Sequence, residues 1–575
     1  MASKERTTRA DWQAKLTAEL AERGPARLPE IVRAALATAD PVELGNVYEA
    51  LLEQGAKRRA AGAYYTPDEL IDAVLTDALE PLIARALEGA TPTAHAEALL
   101  AIRVVDPACG SGRFLRAAAT SLASAYSRVT NLAPERALAA VLASCIHGVD
   151  VDPVATELAS AALLRDVGAR DRAKLRPILG ARIVAANALV ADWPALFPDV
   201  FARGGFDLVV GNPPWIAHAG RAAQPVEPKL RAHFQREYRA FAGYPTTHGM
   251  FVERAASLLR EGGHLGLVIP SSVSELGGYR GARAAHDALC EVPNELDDFG
   301  EGRFAAVTQP CMALVSRRVA GGRTDAPHGS PWPMKRPDLD ERARRLLARL
   351  SLLPTLPAET FGERGVQSDR AMLEHFTEAS APTGRFTTPI REGTDVREFQ
   401  LLAPRLHVDA RALGSRMRSE DEFRAVHVVV RQTARYPIAS LSDGLAFRNS
   451  LLAGFASDAL PADALVALLN SALVRWLHFT RFRDARQPIL PQVKITHLRS
   501  IVIPRDFVGV CTLQLARAGS AMKHAGSAPT ASERRALDDL VFDLYGLDED
   551  ERALVRTWHE QPARPRRGPE SVTSA

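Results

Sequence analysis

The sequence predicts an α/β protein built on an open, mostly parallel sheet, with a short helical segment before it and an α+β module after it. Three observations predict this. Between about residues 99 and 320, apolar runs of strand length alternate with helical stretches. Each run ends in a Gly, Asp, Asn or Pro turn, as in "IRVVDPACGSG", "CIHGVDVDP", "ARIVAANAL", "FDLVVGNPPW" and "GGHLGLVIPSS". After about residue 320 this alternation stops. A sheet of this kind is expected to carry its site outside the carboxyl ends of its strands.

The elements follow in order. Residues 9–55 place apolar residues at helical spacing, as in "LGNVYEALLEQ", and Pro25, Pro29 and Pro41 divide them into short helices. This is the N-terminal helical segment, 1–62. The α/β domain, 63–320, opens with "AGAYYTPDELIDAVL". There Thr66 is expected as N-cap, Pro67 in the first turn, and Glu69 as the capping-box partner of Thr66. "AGGRTDAPHGSPWPM" reads as a linker and "DLDERARRLLARL" as a charged helix, together 321–364. Residues 365–505 mix strand-like pieces ("AVHVVVRQT", "RSIVIP") with one long helix, "PADALVALLNSALVRWLHF". Helices including "ERRALDDLVFDLYGL" fill 506–560, and the tail 561–575 is expected to be disordered.

Composition bounds the function. The 575 residues are 46% hydrophobic, enough for several cores. No apolar run approaches the roughly eighteen residues of a membrane span, and "MASKERTTRADWQ" lacks the apolar centre of a leader peptide. The five cysteines, at 109, 145, 290, 311 and 511, form no C-x-x-C pair, so reduced buried thiols and a cytoplasmic setting are expected. The histidines show no metal spacing, and no metal site is expected.

"VVDPACGSGRFL" puts Asp106 at a strand end. Gly110 and Gly112 then permit a path that side chains would block, and a helix starts near Arg113. The pattern is neither G-x-G-x-x-G nor a phosphate loop. A carboxylate at the strand end suits a cation or an amine, and S-adenosylmethionine offers both; the plain alternative is a tight turn. In "HGVDVDP", Asp150 can accept bonds from a ribose diol, or act as a cap; Asp152 fits the cap of the following helix.

"NPPW" is the second unusual stretch. Each proline fixes its own φ and restricts the residue before it, so the carbonyls of Asn212 and Pro213 are aimed in set directions. With the Asn212 side chain they form a group of neutral acceptors suited to an amino group that must be held and kept nucleophilic. Trp215 offers a flat face. A base in a duplex must be flipped out before its amino group can react, and an aromatic ring then holds it. Core packing is the plain alternative for Trp215.

"DPACGSGRFL" followed by "NPPW" and a C-terminal module resembles the adenine-N6 DNA methyltransferases, in particular the gamma-class, TaqI-type enzymes with a C-terminal target-recognition domain. The resemblance runs from about 44 to 505. It implies a Rossmann-like class I S-adenosylmethionine-dependent methyltransferase domain that methylates adenine N6 in double-stranded DNA. By the same resemblance Asn212, Pro213, Pro214 and Trp215 are catalytic, and Phe304 in "EGRFAAVTQPCMALV" is a second aromatic over the flipped base. The cofactor set is Tyr65, Thr66, Pro67, Asp106, Pro107, Ala108, Cys109, Gly110, Gly112, Phe114, Asp150, Asn187 and Pro214. The family often has Asp where this chain has Asn187, whose amide oxygen can still accept the cofactor's adenine amine; Asp192 is the neighbouring candidate.

Between 431 and 499 there are nine Arg or Lys against four Asp, in a chain of net charge +3. Beside a base-flipping domain this suggests phosphate contact, with Arg431, Gln432, Arg483, Arg486 and Lys494 as candidates. A solvated basic face is the alternative. Pro310-Cys311 is similar to the nucleophile dipeptide of cytosine-C5 methyltransferases, but it lies inside an apolar run and reads as structural. The rival readings are a protein-glutamine methyltransferase, which shares the Asn-Pro-Pro-aromatic motif but lacks a large C-terminal module, and a binding protein that has lost catalysis. A fused restriction enzyme would need a nuclease core that is not seen. Any restriction nuclease or further defence subunit would be a separate chain.

Overall fold

The structure, a computed structural model, describes residues 28–36, 38–54, 66–88, 91–219, 223–300, 302–304, 309–335, 339–367, 374–379, 381–486, 491–504, 510–524 and 528–560, with 15–16, 18–19 and Phe507. Tyr65 and the tail 561–575 lie outside these. The chain divides into two compact units, Met1–Arg336 and Pro337–Ala575.

The first unit is built on an eight-stranded sheet. Its strands are β1 (Val104–Asp106), β2 (Ile146–Asp150), β3 (Ile183–Ala185), β4 (Phe206–Gly211), β5 (Leu259–Pro270), β6 (Cys290–Glu291), β7 (Asp298–Gly300) and β8 (Cys311–Arg318). The order is β3-β2-β1-β4-β5-β8-β6, with β7 also on β8. β1 to β5 run parallel. β8 runs antiparallel to β5, from Pro270 opposite Cys311 to His264 opposite Arg317. The chain winds outward from β1 through β2 to β3, then returns to lay β4 on the other side of β1. That reversal opens a crevice between the ends of β1 and β4.

Helices cover both faces, which is why the strands read as continuous apolar runs. Val104, Leu208, Val210 and Val268 enter one core with the Asp68–Ala78 and Arg113–Thr130 helices. Val105, Val209, Leu265 and Leu267 enter the other with Trp193, Phe206 and Phe251. Cys311 is buried at the start of β8, where it holds a sheet position. Cys109, Cys145 and Cys290 are buried as well.

Two local expectations in the first unit are corrected. Thr66 does not cap the Asp68–Ala78 helix: Pro67 is the N-cap residue, no side chain caps it, and the Thr66 hydroxyl bonds Asn212 instead. Residues 321–335 are no linker but a strap on the first unit. Asp287 accepts bonds from the Gly329 N–H at 2.9 Å and the Trp332 indole at 2.8 Å, and Trp332 is buried. A buried carboxylate with several donors costs little to bury, which fixes the strap.

The second unit has a four-stranded antiparallel sheet including Val428–Arg431 and Leu451–Gly454, and a separate three-stranded one. The long helix expected at 461–479 is two helices, Ala462–Asn470 and Ala472–Arg481. Ser471 leaves helical geometry at ψ 150° and its hydroxyl caps the second helix. "RSIVIP" forms only an isolated bridge, Val502 with Thr355. The Glu341–Ser351 and Ala531–Leu544 helices stand where expected, the latter with a Thr530–Glu533 capping box. No described helix is long and apolar enough to cross a membrane.

Candidate active site

A cavity of about 440 Å³ lies at the carboxyl ends of β1, β2 and β4. Its size suits a ligand of cofactor dimensions. Of the residues expected at a cofactor, Thr66, Asp106, Pro107, Ala108, Cys109, Gly110, Phe114, Asp150, Asn187 and Pro214 all line it, as does Asn212. Pro67 and Gly112 do not. Gly112 has φ +86°, and a Cβ there would lie 3.0 Å from that of Ala159, so this glycine serves close packing of the Arg113–Thr130 helix on the Pro153–Leu164 helix.

Asp106 ends β1. Its Oδ1 accepts the Ala108 N–H at 2.9 Å, and its carboxylate faces the backbone of Gly211 at the end of β4. Asp150 ends β2 and bridges two turns: Oδ2 accepts the Gly110 N–H and Oδ1 the Asp152 N–H, each at 2.9 Å. Each oxygen keeps a lone pair for a ligand. Asp152 caps the Pro153–Leu164 helix through Val154, as expected.

A third carboxylate was not singled out in the sequence. Glu49, on the Pro41–Gln54 helix, lines the same cavity and accepts the Ser111 N–H at 3.0 Å. Nothing local marks it, because the contact joins distant parts of the chain. Burial pushes all three carboxyls up, and a neighbouring carboxylate adds to it in each case: Asp106 rises to about 8, beside Asp150 and Glu49, while Glu49, beside Asp150, and Asp150, beside Asp152, rise in the same direction. Three crowded acidic groups around one cavity favour a cationic ligand.

Of Asn187 and Asp192, the structure brings only Asn187 to the cavity. It lines the cavity and its Oδ1 accepts the Leu189 N–H at 3.0 Å, leaving one lone pair. Asp192 instead caps the Trp193–Leu196 turn through Ala195 and does not line the cavity. Beyond the prolines, Ile216, Val226, Leu230, Phe234 and Phe251 supply an apolar wall that the sequence did not reveal.

The Asn-Pro-Pro-Trp stretch leaves β4 as a fixed strap. The Ile216 carbonyl accepts the Thr247 N–H at 2.9 Å, and the His218 N–H donates to the Pro245 carbonyl at 2.9 Å. Asn212 Nδ2 donates to the Thr66 hydroxyl at 3.0 Å. Its Oδ1 is buried and accepts no hydrogen bond from the described residues. Such an orphaned acceptor normally marks the place of a ligand. Trp215 and Phe304 are brought together edge to face, with centroids 5.0 Å apart at 76°. Both are buried, and neither lines the cavity, nor does Pro213.

In the second unit, the Val493 N–H bonds the Gln432 carbonyl at 2.8 Å, which places Lys494 beside Arg431 and Gln432. Lys494 pairs with Asp484 at 2.6 Å. Arg486 is partly buried, and the side chain of Arg483 lies outside what is described. The count of basic residues overstated the free positive charge. Arg475 is buried against Glu398, Arg481 bonds the Ser500 carbonyl, and Arg499 bonds the Phe361 carbonyl.

The architecture is a Rossmann-like domain with the fold of the class I S-adenosylmethionine-dependent methyltransferases, carrying an added α+β unit. Residues 144–302 match the family model described as the Eco57I restriction-modification methylase. The chain is 26% identical over 318 residues to the type II methyltransferase M.PaeR7I of Pseudomonas aeruginosa, covering 54% of this chain and 48% of that protein. It is 27% identical over 179 residues to the type II methyltransferase M.TthHB8I of Thermus thermophilus, covering 31% of each. The chain thus spans about half or less of the curated relatives it matches. Among solved structures, the type IIL restriction-modification enzyme MmeI in complex with DNA superposes with a TM-score of 0.51 at 13% identity, over 90% of this chain and 80% of that one. At that identity the likeness is one of fold.

Proposed function

We propose that the chain transfers a methyl group from S-adenosylmethionine to the N6 amino group of an adenine flipped out of double-stranded DNA, in host modification or phage defence. The observation that carries this reading is the orphaned Oδ1 of Asn212, held at the mouth of a cavity ringed by three carboxylates. The cavity's residues fit the cofactor. Asp106 and its neighbours answer a positive charge, Asp150 has lone pairs for a ribose, and Asn187 has one for an adenine amine. Bound there, the cofactor supplies an electrophilic methyl carbon on a sulfonium.

The chain's own work is positioning. Thr66 engages Nδ2 of Asn212, so Oδ1 points elsewhere and receives one proton of the substrate amine. The Pro213 carbonyl, fixed by the following proline, receives the other. With both N–H groups held, the amine's lone pair would be left free for the methyl group that the cofactor would supply, its C–S bond breaking as N–C forms, and the surplus proton would pass to water. No strong base is needed. Trp215 and Phe304 part to hold the base. Stacking on a base is typically worth ~1–3 kcal/mol, against the ~0.5–1.5 kcal/mol of an edge contact and the burial the two rings give up. Arg431, Gln432 and Lys494 are the contacts proposed to DNA from the second unit, with Arg483 and Arg486 as further candidates.

DNA from cells expressing the chain, in a host without adenine methylation of its own, is expected to carry N6-methyladenine in one sequence context when read by single-molecule sequencing. Unmodified DNA despite folded, cofactor-binding protein would overturn the substrate assignment.

The raised Asp106 carboxyl has a consequence in pH. Its folded value, about 8, lies above the ordinary carboxylate value near ~4. The folded state therefore holds this proton more tightly than the unfolded chain, and folding loses stability as pH rises from ~4 through about 8. A cationic ligand reverses the preference by favouring the carboxylate. Cofactor affinity is expected to rise between pH 6 and 8 with release of up to about one proton, read by calorimetry in buffers of different ionisation enthalpy. A flat pH profile would count against a charged Asp106 in the complex.

A further inference from the structure

The helix before the sheet, Pro41–Gln54, forms part of the cavity wall. Its Leu44, Val47 and Tyr48 pack on Val154 and Leu158, and the Tyr48 hydroxyl donates to Asp152 at 2.5 Å. The helix presses close to the glycine turn: a Cβ on Gly45 would lie 2.8 Å from that of Ser111. This seat carries Glu49 over the turn. One carboxylate oxygen takes the Ser111 N–H, and the ideal Cβ position of Gly110 lies 3.1 Å from that same oxygen. Arg113, which lines the cavity too, is engaged by Asn46 of the same helix at 2.8 Å and by Asp68 at 2.5 Å. Glu49 thus faces a ligand space already bordered by Asp106.

We propose that Glu49 is a cofactor-binding residue that, with Asp106, holds the α-ammonium of the cofactor's amino-acid end, so that a helix outside the sheet domain completes the site. The assignment rests on the proposed use of S-adenosylmethionine. The geometry supports it in two ways. Glu49 stands at the glycine turn between Asp106 and Asp150, and of these Asp150 already takes the Gly110 and Asp152 N–H groups. Burying a third carboxylate among two others is costly unless a cation completes the cluster. Burial and the neighbouring carboxylate of Asp150 raise the Glu49 carboxyl, against the pull of the Ser111 donors and Arg113.

The test compares two compounds that share the nucleoside end and differ at the amino-acid end. Calorimetry of the full chain with S-adenosylhomocysteine and with 5′-methylthioadenosine, which lacks the amino acid, separates the roles. Glu49→Gln is expected to weaken S-adenosylhomocysteine by about tenfold or more, as for a lost charge-assisted bond, and to leave 5′-methylthioadenosine within about twofold. Glu49→Asp, which keeps the charge with a shorter reach, is expected to fall between wild type and Glu49→Gln. Equal loss for both compounds, or loss for neither, overturns the assignment of Glu49 alone. Wild-type protein that binds neither compound overturns the functional reading and this assignment with it.

Discussion

Asn212→Ala is expected to lower single-turnover methyl transfer to DNA by about 100-fold or more, in the range seen when one preorganised polar group is removed from a reacting centre. The substitution deletes the buried Oδ1, which has no partner among the described residues, so no hydrogen bond among them is lost with that atom. It does lose the Nδ2 bond to Thr66, a net contribution of about 1 kcal/mol. Cofactor affinity should stay within a few-fold of wild type, because the carboxylates and the glycine turn are untouched. Activity within tenfold of wild type would reject Asn212 as the amine's acceptor. Loss of cofactor binding in parallel would show that the residue supports the cavity and does not act on the substrate.

Gly211→Ala is expected to be at least as damaging, but through the cofactor. Gly211 closes β4 with φ +151°, a conformation that side chains rarely adopt. A Cβ built there would lie 2.4 Å from Asp106 Oδ1, inside any tolerable contact, at a buried carboxylate that borders the cavity. Either the carboxylate swings off its bond to Ala108 or the strand end shifts. Both displace the group that answers the ligand's charge, and overpacking of this kind typically costs ~1–3 kcal/mol of stability. Calorimetry should show cofactor affinity reduced by about tenfold or more, with a lower melting temperature. A variant that bound cofactor like wild type would mean that Asp106 can move without loss, and that its placement is not critical.

Much of this was legible in the sequence for a physical reason. Strands buried on both faces leave uninterrupted apolar runs, and a site at strand ends leaves rigid turns, so β1, β2, β4 and β5 with Asp106, Asp150 and Asn212 could be read directly. Local rules failed where a distant partner decided the outcome. Thr66 has every property of a cap, yet Asn212 claims its hydroxyl. Ser471 sits inside an unbroken helical pattern, and its own side chain restarts the helix there. The run of arginines looked like one binding face, but Arg475 pairs with Glu398, and Arg481 and Arg499 are each tied to a backbone carbonyl. Trp215 and Phe304 were each readable as aromatics near a base, but their contact with one another was not.

The strap over residues 321–335 bears on how the two units can be recombined. A chimera that took this catalytic unit only as far as residue 320 would discard Trp332 and Gly329, leaving Asp287 buried beside His286 with two of its donors gone. Such a truncation would carry an ill-satisfied charge in its core and fold poorly whatever second unit it received. Grafts that exchange the second unit for another should be cut after Arg336, so that each catalytic half keeps its own clasp.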